Sequence, residues 1–303
     1  MGFVGVSTQS SSIMQVFPLW AEILNLPTKT LLGYDLPLDA TTNDYVKLVE
    51  QLRDDPQHLG ALVTTHKMRV YDTAAYLFDE IDPFGVACHE ISSISKVNGR
   101  FIGRAKDPLT VALALNDFLP ATHFAQTGAE VLILGAGGSG TALSWALAHR
   151  TEDPPSKVTV TAQSSAKLDA LRSIHSSLGT PENLAVYAAI SSTEQTDSLV
   201  GGLPPGSLVV NATGLGKDRP GSPVSANVSF PQNGYIWEFN YRGSLEFLEY
   251  ARRNQQENQL QIIDGWRYFI HGWSQVVADV FGIALTPSIV EELAVAAESV
   301  RTK

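Results

Sequence analysis

Two features of the sequence could do chemistry, and the more specific is a glycine-rich loop. Gly135-Ala136-Gly137-Gly138-Ser139-Gly140 directly follows an apolar strand pattern and opens a helix pattern. At this spacing the first glycine permits a tight turn, the second lets the backbone approach a pyrophosphate, and the third allows close helix–strand packing. The N–H groups at the helix start attract phosphate. The loop therefore predicts a dinucleotide site, which we favour over a purely structural glycine turn.

The segment that should contact the adenosine ribose carries no acid. The second strand of this unit should end near Gln163 and Ser164, where an NAD-binding protein places Asp or Glu on the ribose hydroxyls. Ser164, Ser165 and Lys167 could instead supply hydroxyls and one positive charge to a 2′-phosphate. The cofactor is accordingly expected to be NADP or NAD, with a lean to NADP.

The second feature is a set of polar residues at predicted helix starts. Lys67 begins one helical pattern and Asp107 precedes Pro108 in another. Taken alone, Lys67 is a solvated lysine and Asp107 an N-cap. The run Ser10-Ser11-Ser12 could likewise cap the next helix, and His66 has no recognisable partner, so a structural role is favoured for it.

These residues fall in an alternating α/β pattern that predicts two domains with a cleft, as expected for 303 residues. Strand-like runs at 3–6, 30–33 and 60–63 alternate with helix-like runs, which is the rhythm of a parallel sheet. The predicted fold class is α/β. A first α/β lobe (1–106) would be completed by C-terminal helices (265–303) that pack back on it, and residues 107–264 would form a Rossmann-type, doubly wound dinucleotide-binding domain.

Composition narrows the class of protein. The net charge of −10 argues against nucleic acid or an anionic membrane as the main partner. The single cysteine, Cys88, excludes an internal disulfide and is expected to be a small buried residue; no metal site is predicted. The N-terminus lacks a signal-peptide pattern, so a cytoplasmic protein is expected. The expected partner is a small molecule, and the expected oligomeric state is a monomer or a homodimer.

Six blocks in matching order resemble the shikimate/quinate dehydrogenase family, over most of the chain with gaps. They are Ser10-Ser11-Ser12; Val63-Thr64-Thr65-His66-Lys67; Glu90-Ile91-Ser92-Ser93-Ile94 with Asn98 to Asp107; Asn211-Ala212-Thr213-Gly214-Leu215-Gly216; Glu238-Phe239-Asn240-Tyr241; and Asp264-Gly265 with the following helix. The third block is similar to the family's Gly-Ala-Val-Asn-Thr and Asn-Thr-Asp stretches.

The resemblance implies roles for these positions. Lys67 and Asp107 would be the acid–base pair. Substrate contacts would come from Ser10, Ser12, Thr65, Ser92, Tyr241 and Gln275, and cofactor contacts from the glycine loop, Gln163, Ser164, Asn211, Ala212, Thr213 and Gly265. For Tyr241 a packing role is nearly as well supported.

Three departures affect the substrate. The family's Asn is Ser92 here, a second Asn is Ala105, and a Gln aligns with Gly272, although Gln275 lies one turn further on. The expected function is reversible hydride transfer to or from a ring hydroxyl of a polyhydroxy cyclohexane or cyclohexene carboxylate, of the class of shikimate, quinate or an amino or deoxy relative. The substrate is expected to differ from shikimate itself in its contacts. A ligand-binding or regulatory homologue that has lost turnover, and a different Rossmann reductase, remain the alternatives.

Overall fold

The computed structural model describes residues 1–181, 184–217 and 219–301. Contacts group residues 1–106 with 270–303 as a first unit and 107–269 as a second unit. The second division falls at 269/270, inside a helix, five residues beyond the predicted boundary of 264/265.

The first unit is built on a six-stranded mixed sheet in the order β2-β1-β3-β5-β6-β4. β1 pairs with β2 and β3 in parallel, whereas β5 runs antiparallel to both β3 and β6. The three strands whose rhythm predicts a parallel sheet are parallel, and β5 adds antiparallel pairs that the sequence analysis did not predict. Its strands are β1 (Gly2–Gly5), β2 (Leu32–Asp35), β3 (Gly60–Val63), β4 (Glu80–Ile81), β5 (Ser93–Val97) and β6 (Arg100–Arg104).

The sheet turns back at Asn98-Gly99, which joins β5 to β6 in a two-residue hairpin. Both residues have positive φ, 52° for Asn98 and 77° for Gly99. Asn-Gly suits such a turn because both residues tolerate left-handed backbone, and that backbone follows the twist of paired strands. The hairpin brings Arg104 and the residues after it beside the start of β5.

Helices cover this sheet and bury a continuous apolar core that includes Val4, Tyr45, Val49, Ile94 and Phe101. The C-terminal helix joins the unit through Trp20, whose indole N–H donates to the Leu293 carbonyl at 2.8 Å. The helices are α1 (Ile13–Ile23), α2 (Thr42–Asp54), α3 (Lys67–Ala74), α4 (Pro83–Cys88) and, at the C-terminal end, α12 (Pro287–Glu298). Cys88 is half-buried, so it is less enclosed than expected.

The second unit contains a six-stranded sheet in the order β12-β11-β10-β7-β8-β9, with every pair parallel. The chain starts at the centre, winds outward to one edge, then crosses back to the other side. This is the Rossmann strand order, and the order reverses between β7 and β10, which is the switch point of the sheet. The strands are β7 (Val131–Leu134), β8 (Val158–Ala162), β9 (Ala185–Ala189), β10 (Leu208–Asn211), β11 (Tyr235–Glu238) and β12 (Gln261–Ile263).

Helices pack on this sheet, and one core beneath them includes Leu132, Val209, Ile236, Phe247 and Leu248. They are α5 (Asp107–Phe118), α6 (His123–Thr127), α7 (Gly138–Ala148), α8 (Ser165–Ser177), α9 (Thr193–Gly201) and α10 (Glu246–Asn258). A further helix, α11 (Trp266–Phe281), contains the division between the units. Among the described residues, no helix is long and apolar enough to span a bilayer.

Candidate cofactor and acid–base sites

Two glycines of the loop after β7 are required by the fold itself. Gly135 has φ of +110°, and a Cβ there would lie 2.8 Å from the Ala212 carbonyl oxygen. A Cβ on Gly140 would lie 2.1 Å from the Gly135 oxygen. Any other residue at either position would collide with backbone, so these glycines let strand, turn and helix pack closely.

Gly137 is different, because nothing in the fold requires it. Its φ of −90° and ψ of −176° are extended values that any residue adopts, and no atom lies within 4 Å of where its Cβ would be. A glycine beside open space at a helix N-terminus leaves room for a ligand to approach the backbone. Packing alone does not explain the glycine at position 137, whereas room for a bound pyrophosphate does.

The open space belongs to a cavity of about 400 Å³ at the carboxyl ends of the strands. Among the described residues that line it, the charged side chains are Lys167 and Arg219, and none is a carboxylate. In a chain of net charge −10, this is a locally cationic surface. Predicted cofactor residues that line it are Gly135, Ala136, Gly137, Gln163, Ser164, Ala212 and Thr213.

Arg219 was missed by the sequence analysis. It lies in the loop after β10, where its backbone oxygen accepts from Gly216 N at 2.7 Å and its Nη2 donates to the Thr213 oxygen at 3.3 Å. That contact holds the guanidinium beside the strand end next to Gly135. The signal in the sequence was weak: two basic residues, Lys217 and Arg219, between Gly214 and Pro220.

Asn211 braces the strand ends. Its Nδ2 donates to Glu238 Oε2 at 2.5 Å, and its Oδ1 accepts from Thr213 N at 3.0 Å and Thr213 Oγ1 at 2.7 Å. Glu238 also accepts from Asn240 N at 2.8 Å. Burial raises the pKa of the Glu238 carboxyl to about 7, against hydrogen bonds that act in the opposite direction. These hydrogen bonds of the Asn211 side chain stabilise the conformation of the 211–215 loop.

Two further predicted positions lie beyond β11. A Cβ on Gly265 would lie 2.1 Å from the Phe239 oxygen, so glycine is needed there for close packing. Tyr241 is half-buried, with its ring centroid 4.6 Å from that of Phe269 and 5.5 Å from that of Trp266. The aromatic contacts give Tyr241 a packing role, and a ligand contact remains a prediction.

In the first unit, Lys67 is the first residue of α3 and lies against Glu90. The distance from Lys67 Nζ to Glu90 Oε2 is 3.7 Å, with the side chains 20% and 3% exposed. Glu90 is the first residue of the third motif block, and the sequence analysis assigned no role to its carboxylate. It comes directly after a helix end and before a buried strand, where a carboxylate needs a partner.

His66 has hydrogen-bond partners on both ring nitrogens, which fits the structural role that the sequence favours for it. Its Nδ1 accepts from the Tyr45 hydroxyl at 2.7 Å, and its Nε2 donates to the Leu36 carbonyl at 2.9 Å. Both contacts suit a neutral ring, and burial lowers the pKa of this imidazole. With both nitrogens engaged, His66 ties α2, α3 and the segment after β2 together.

Ser92 is buried, and its hydroxyl is already engaged. Its Oγ accepts from Lys106 N at 2.8 Å and donates to the Arg104 oxygen at 3.3 Å. A substrate contact from Ser92 would have to replace the bond to Arg104 or use the remaining lone pair.

Two cations near Ser92 share one carboxylate on α11. Asp279 Oδ1 lies 3.0 Å from Arg104 Nη1 and 3.1 Å from Lys106 Nζ, and its Oδ2 accepts from Ser93 Oγ at 2.8 Å. Arg104 and Lys106 directly flank Ala105, the position at which the resemblance has an Asn.

The remaining predicted substrate residues are more exposed. Ser10 is exposed and its Oγ donates to the Ser7 oxygen at 3.0 Å, while Ser12 is the N-cap residue before α1 and its side chain makes no cap hydrogen bond. Thr65 is exposed and Gln275 is half-buried on α11. Asp107 is the first residue of α5 in the second unit, and its oxygen accepts from Thr110 Oγ1 at 3.1 Å.

The architecture is that of an α/β protein with a Rossmann-type sheet, and Gly135 and Gly140, which close backbone contacts require, lie where a dinucleotide-binding loop has glycines. No protein-family model matches the chain. A shikimate dehydrogenase (NADP⁺) of Streptococcus gordonii is 28% identical over 218 residues, which are 69% of this chain and 67% of that protein.

Solved structures show the same fold. A quinate dehydrogenase of Corynebacterium glutamicum in complex with NAD superposes with a TM-score of 0.74 at 17% identity, covering 98% of each chain. A shikimate 5-dehydrogenase of Thermus thermophilus in complex with NADP(H) and shikimate gives 0.70 at 20% identity, also over 98% of each. The resemblance to the shikimate/quinate dehydrogenase family is confirmed.

Proposed function

We propose that the chain is an NAD(P)-dependent oxidoreductase of the shikimate/quinate dehydrogenase type. It would interconvert a ring hydroxyl and a ring ketone of a polyhydroxy cyclohexane or cyclohexene carboxylate. The observation that carries the proposal is the cationic cavity beside Gly137, at the switch point of a Rossmann sheet. The relatives named above act on such compounds with NAD or NADP, and they support the same chemistry here.

The residues of the cavity fit a dinucleotide. The glycine loop and the start of α7 would hold the pyrophosphate, with Arg219 on the Thr213 side. Lys167 and Ser164 would face the adenosine ribose. Since no described lining residue is a carboxylate, nothing there repels a 2′-phosphate, and the proposed cofactor is NADP before NAD. When bound, the nicotinamide would supply or accept the hydride.

Lys67 and Asp107 are the proposed acid–base pair. Lys67 Nζ would hold a proton at the reacting oxygen, and Asp107 would orient that oxygen. Free lysine has a pKa of about 10.4, so an ammonium is the ordinary state at neutral pH. This makes proton donation to a ketone the easier direction for Lys67 and proton removal from an alcohol the harder one.

The substrate is proposed to differ from shikimate. Ser92, Ala105 and Gly272 stand where the resemblance has hydrogen-bonding amides, and the Ser92 hydroxyl is engaged within the unit. A buried polar group left unpaired costs about 1–3 kcal/mol, so three such changes would alter specificity by orders of magnitude. Residues 1–106 with the C-terminal helices would form the substrate-binding domain and 107–264 the cofactor-binding domain of a cytoplasmic protein.

The test is turnover followed by nicotinamide absorbance. Purified protein is mixed with NADP or NAD and a panel of shikimate, quinate and related cyclic polyols, including amino and deoxy derivatives. Turnover that is lost in Lys67→Ala and kept in Lys47→Ala, an exposed lysine of the same unit, supports the proposal. Cofactor binding without turnover on any compound would favour a ligand-binding homologue that has lost activity.

A further inference from the structure

We infer that Glu90 is a positioning residue that holds Lys67 as an ammonium and so sets it up as the proton donor for ketone reduction. The inference rests on the proposed function for the reaction, but its physical core is a charge pair within the first unit. The resemblance that identifies Lys67 does not include this carboxylate, because Glu90 stands two residues before Ser92, where the family's stretch has Ala.

The chain fixes Glu90 against Lys67 through its backbone as well as its side chain. α4 ends at His89, whose left-handed backbone (φ 52°, ψ 48°) turns the chain so that Glu90 N donates to the Gly85 oxygen at 3.0 Å. The next amide, Ile91 N, donates to the Lys67 carbonyl oxygen at 3.1 Å. Together with the 3.7 Å separation of Nζ and Oε2, this makes two independent links between the start of α3 and the 89–92 turn.

Burial makes the pair strong. Glu90 is 3% exposed and Lys67 20% exposed, so water screens their attraction poorly. A carboxylate at that depth stays ionised when a neighbouring cation stabilises its charge. Removing either partner leaves the other as an uncompensated buried charge. The carboxylate therefore favours the charged form of Lys67.

The other titratable groups on neighbouring elements have contacts of their own. Asp82 accepts from Gly85 N and Ala105 N, both at 3.0 Å, and His89 Nδ1 lies 3.8 Å from Asp72. The rest have been described: Tyr45 and His66 bond to each other, and Arg104 and Lys106 share Asp279.

The proton transfer that follows is balanced. In reduction the carbonyl carbon gains the hydride that the reduced cofactor supplies, and the C=O π pair moves to oxygen. That oxygen takes a proton from Lys67 Nζ: an O–H bond forms, an N–H bond breaks, and neutral Lys67 regains a proton from water. Glu90 touches neither reacting atom, and it acts through the charge state of Lys67.

The experiment measures the Lys67 pKa directly. Lysines are dimethylated with ¹³C-formaldehyde and titrated by NMR, with Lys67 assigned from its missing signal in Lys67→Arg. Glu90→Gln is expected to lower the Lys67 pKa by about 1–3 units, because an opposite charge has been removed. Glu90→Asp, which keeps a carboxylate further away, should give a smaller fall. An unchanged Lys67 pKa in both variants overturns the inference.

A second readout is the pH profile of kcat/KM for ketone reduction. Protonated Lys67 is required, so the rate falls above its pKa, and this limb should move to lower pH in Glu90→Gln by the same number of units. Asp279→Asn is the matched control, since it removes a carboxylate that holds other cations. A merely structural role of Glu90 would lower the rate without moving the limb. Absence of turnover in the wild type refutes the proposed function, whereas the NMR titration still decides the charge pair.

Discussion

Gly137→Ala separates the role of the glycine loop in the fold from its role in binding. The added Cβ has no neighbour within 4 Å and the backbone is extended, so no strain arises. The lower entropy of the unfolded chain stabilises by about 0.4–1 kcal/mol, and a poorer N-cap offsets it by a similar amount. Stability should therefore change little.

Binding should change substantially. A methyl group in that space would hold a pyrophosphate away from the backbone N–H groups. A hydrogen bond to a charged group contributes about 1.5–3 kcal/mol, which corresponds to a rise in Kd of about 10- to 100-fold. The Kd values of NADP and NAD, measured by calorimetry, should rise together because both carry the pyrophosphate.

Two alanine variants complete the test. Gly201→Ala, at the end of α9, places a Cβ 3.8 Å from the Ser229 oxygen and outside the cavity lining, so it should leave both Kd values unchanged. Gly140→Ala, with its contact to the Gly135 oxygen, should lower the melting temperature. A stable Gly137→Ala protein that binds both dinucleotides as tightly as the wild type would refute the assignment of this cavity to the cofactor.

Other predictions concern the two cationic residues of the cavity, the buried carboxyl of Glu238 and the hydrogen bonds of His66. Lys167→Ala should weaken NADP about 10-fold more than NAD, whereas Arg219→Ala should weaken both by similar factors; equal effects of Lys167→Ala on both would remove it from the 2′-phosphate. Because Glu238 has its pKa raised from 4.5 to about 7, the folded state binds the proton more tightly, so the free energy of unfolding should fall between about pH 4.5 and 7. This loss, at most about 3 kcal/mol, should be absent in Glu238→Gln when denaturant unfolding is compared at the two pH values. Tyr45→Phe removes the hydrogen bond to His66 and should lower stability by about 1 kcal/mol without moving the pH profile of turnover; a moved profile would show that His66 takes part in the chemistry.

The cofactor half of the fold was the more predictable from sequence. β7, β8 and β10 are fully buried strands of four or five residues, which appear as continuous apolar runs with clear ends. Any side chain at Gly135 or Gly140 would collide with backbone atoms, so glycine is required at both positions. The spacing of these glycines therefore indicates the turn geometry from the sequence alone. The shorter edge strand β12 has no buried residue in it and left no such pattern.

The first unit was harder to predict because its sheet changes direction. Asn98-Gly99 is a strong hairpin signal, yet it was considered only as part of a motif block, so the antiparallel pair β5 and β6 was not anticipated. β2 was expected at 30–33 and lies at Leu32–Asp35, because it is a half-exposed strand with no clean alternation. These errors concern boundaries and pairing; the alternation of strand and helix in residues 1–70 was sound.

Glu90 and Arg219 could not be found from local patterns, since the meaning of each depends on a distant neighbour. Glu90 meets Lys67 across 23 positions of sequence that contain α3, β4 and α4, and Arg219 meets Thr213 only after its loop folds back. Neither lies at a spacing that a helix or strand would bring together. Charge in a segment that ends up buried or beside a cavity becomes informative only when the tertiary contacts are known.

The two halves of the proposed site therefore constrain sequence in different ways. A dinucleotide would be held largely by backbone N–H groups, so the cofactor half leaves glycine requirements in the sequence: Gly135 and Gly140 for close packing of the loop, and Gly137 for approach of the ligand. Under the proposed function a ring substrate would be held by side chains, and these differ from the resemblance: the Ser92 hydroxyl bonds within its own unit and Ala105 has no polar side chain. A lysine at position 67, combined with changes at Ser92, Ala105 and Gly272 where the resemblance has amides, is the pattern expected under the proposed function if the reaction is kept and the substrate changes.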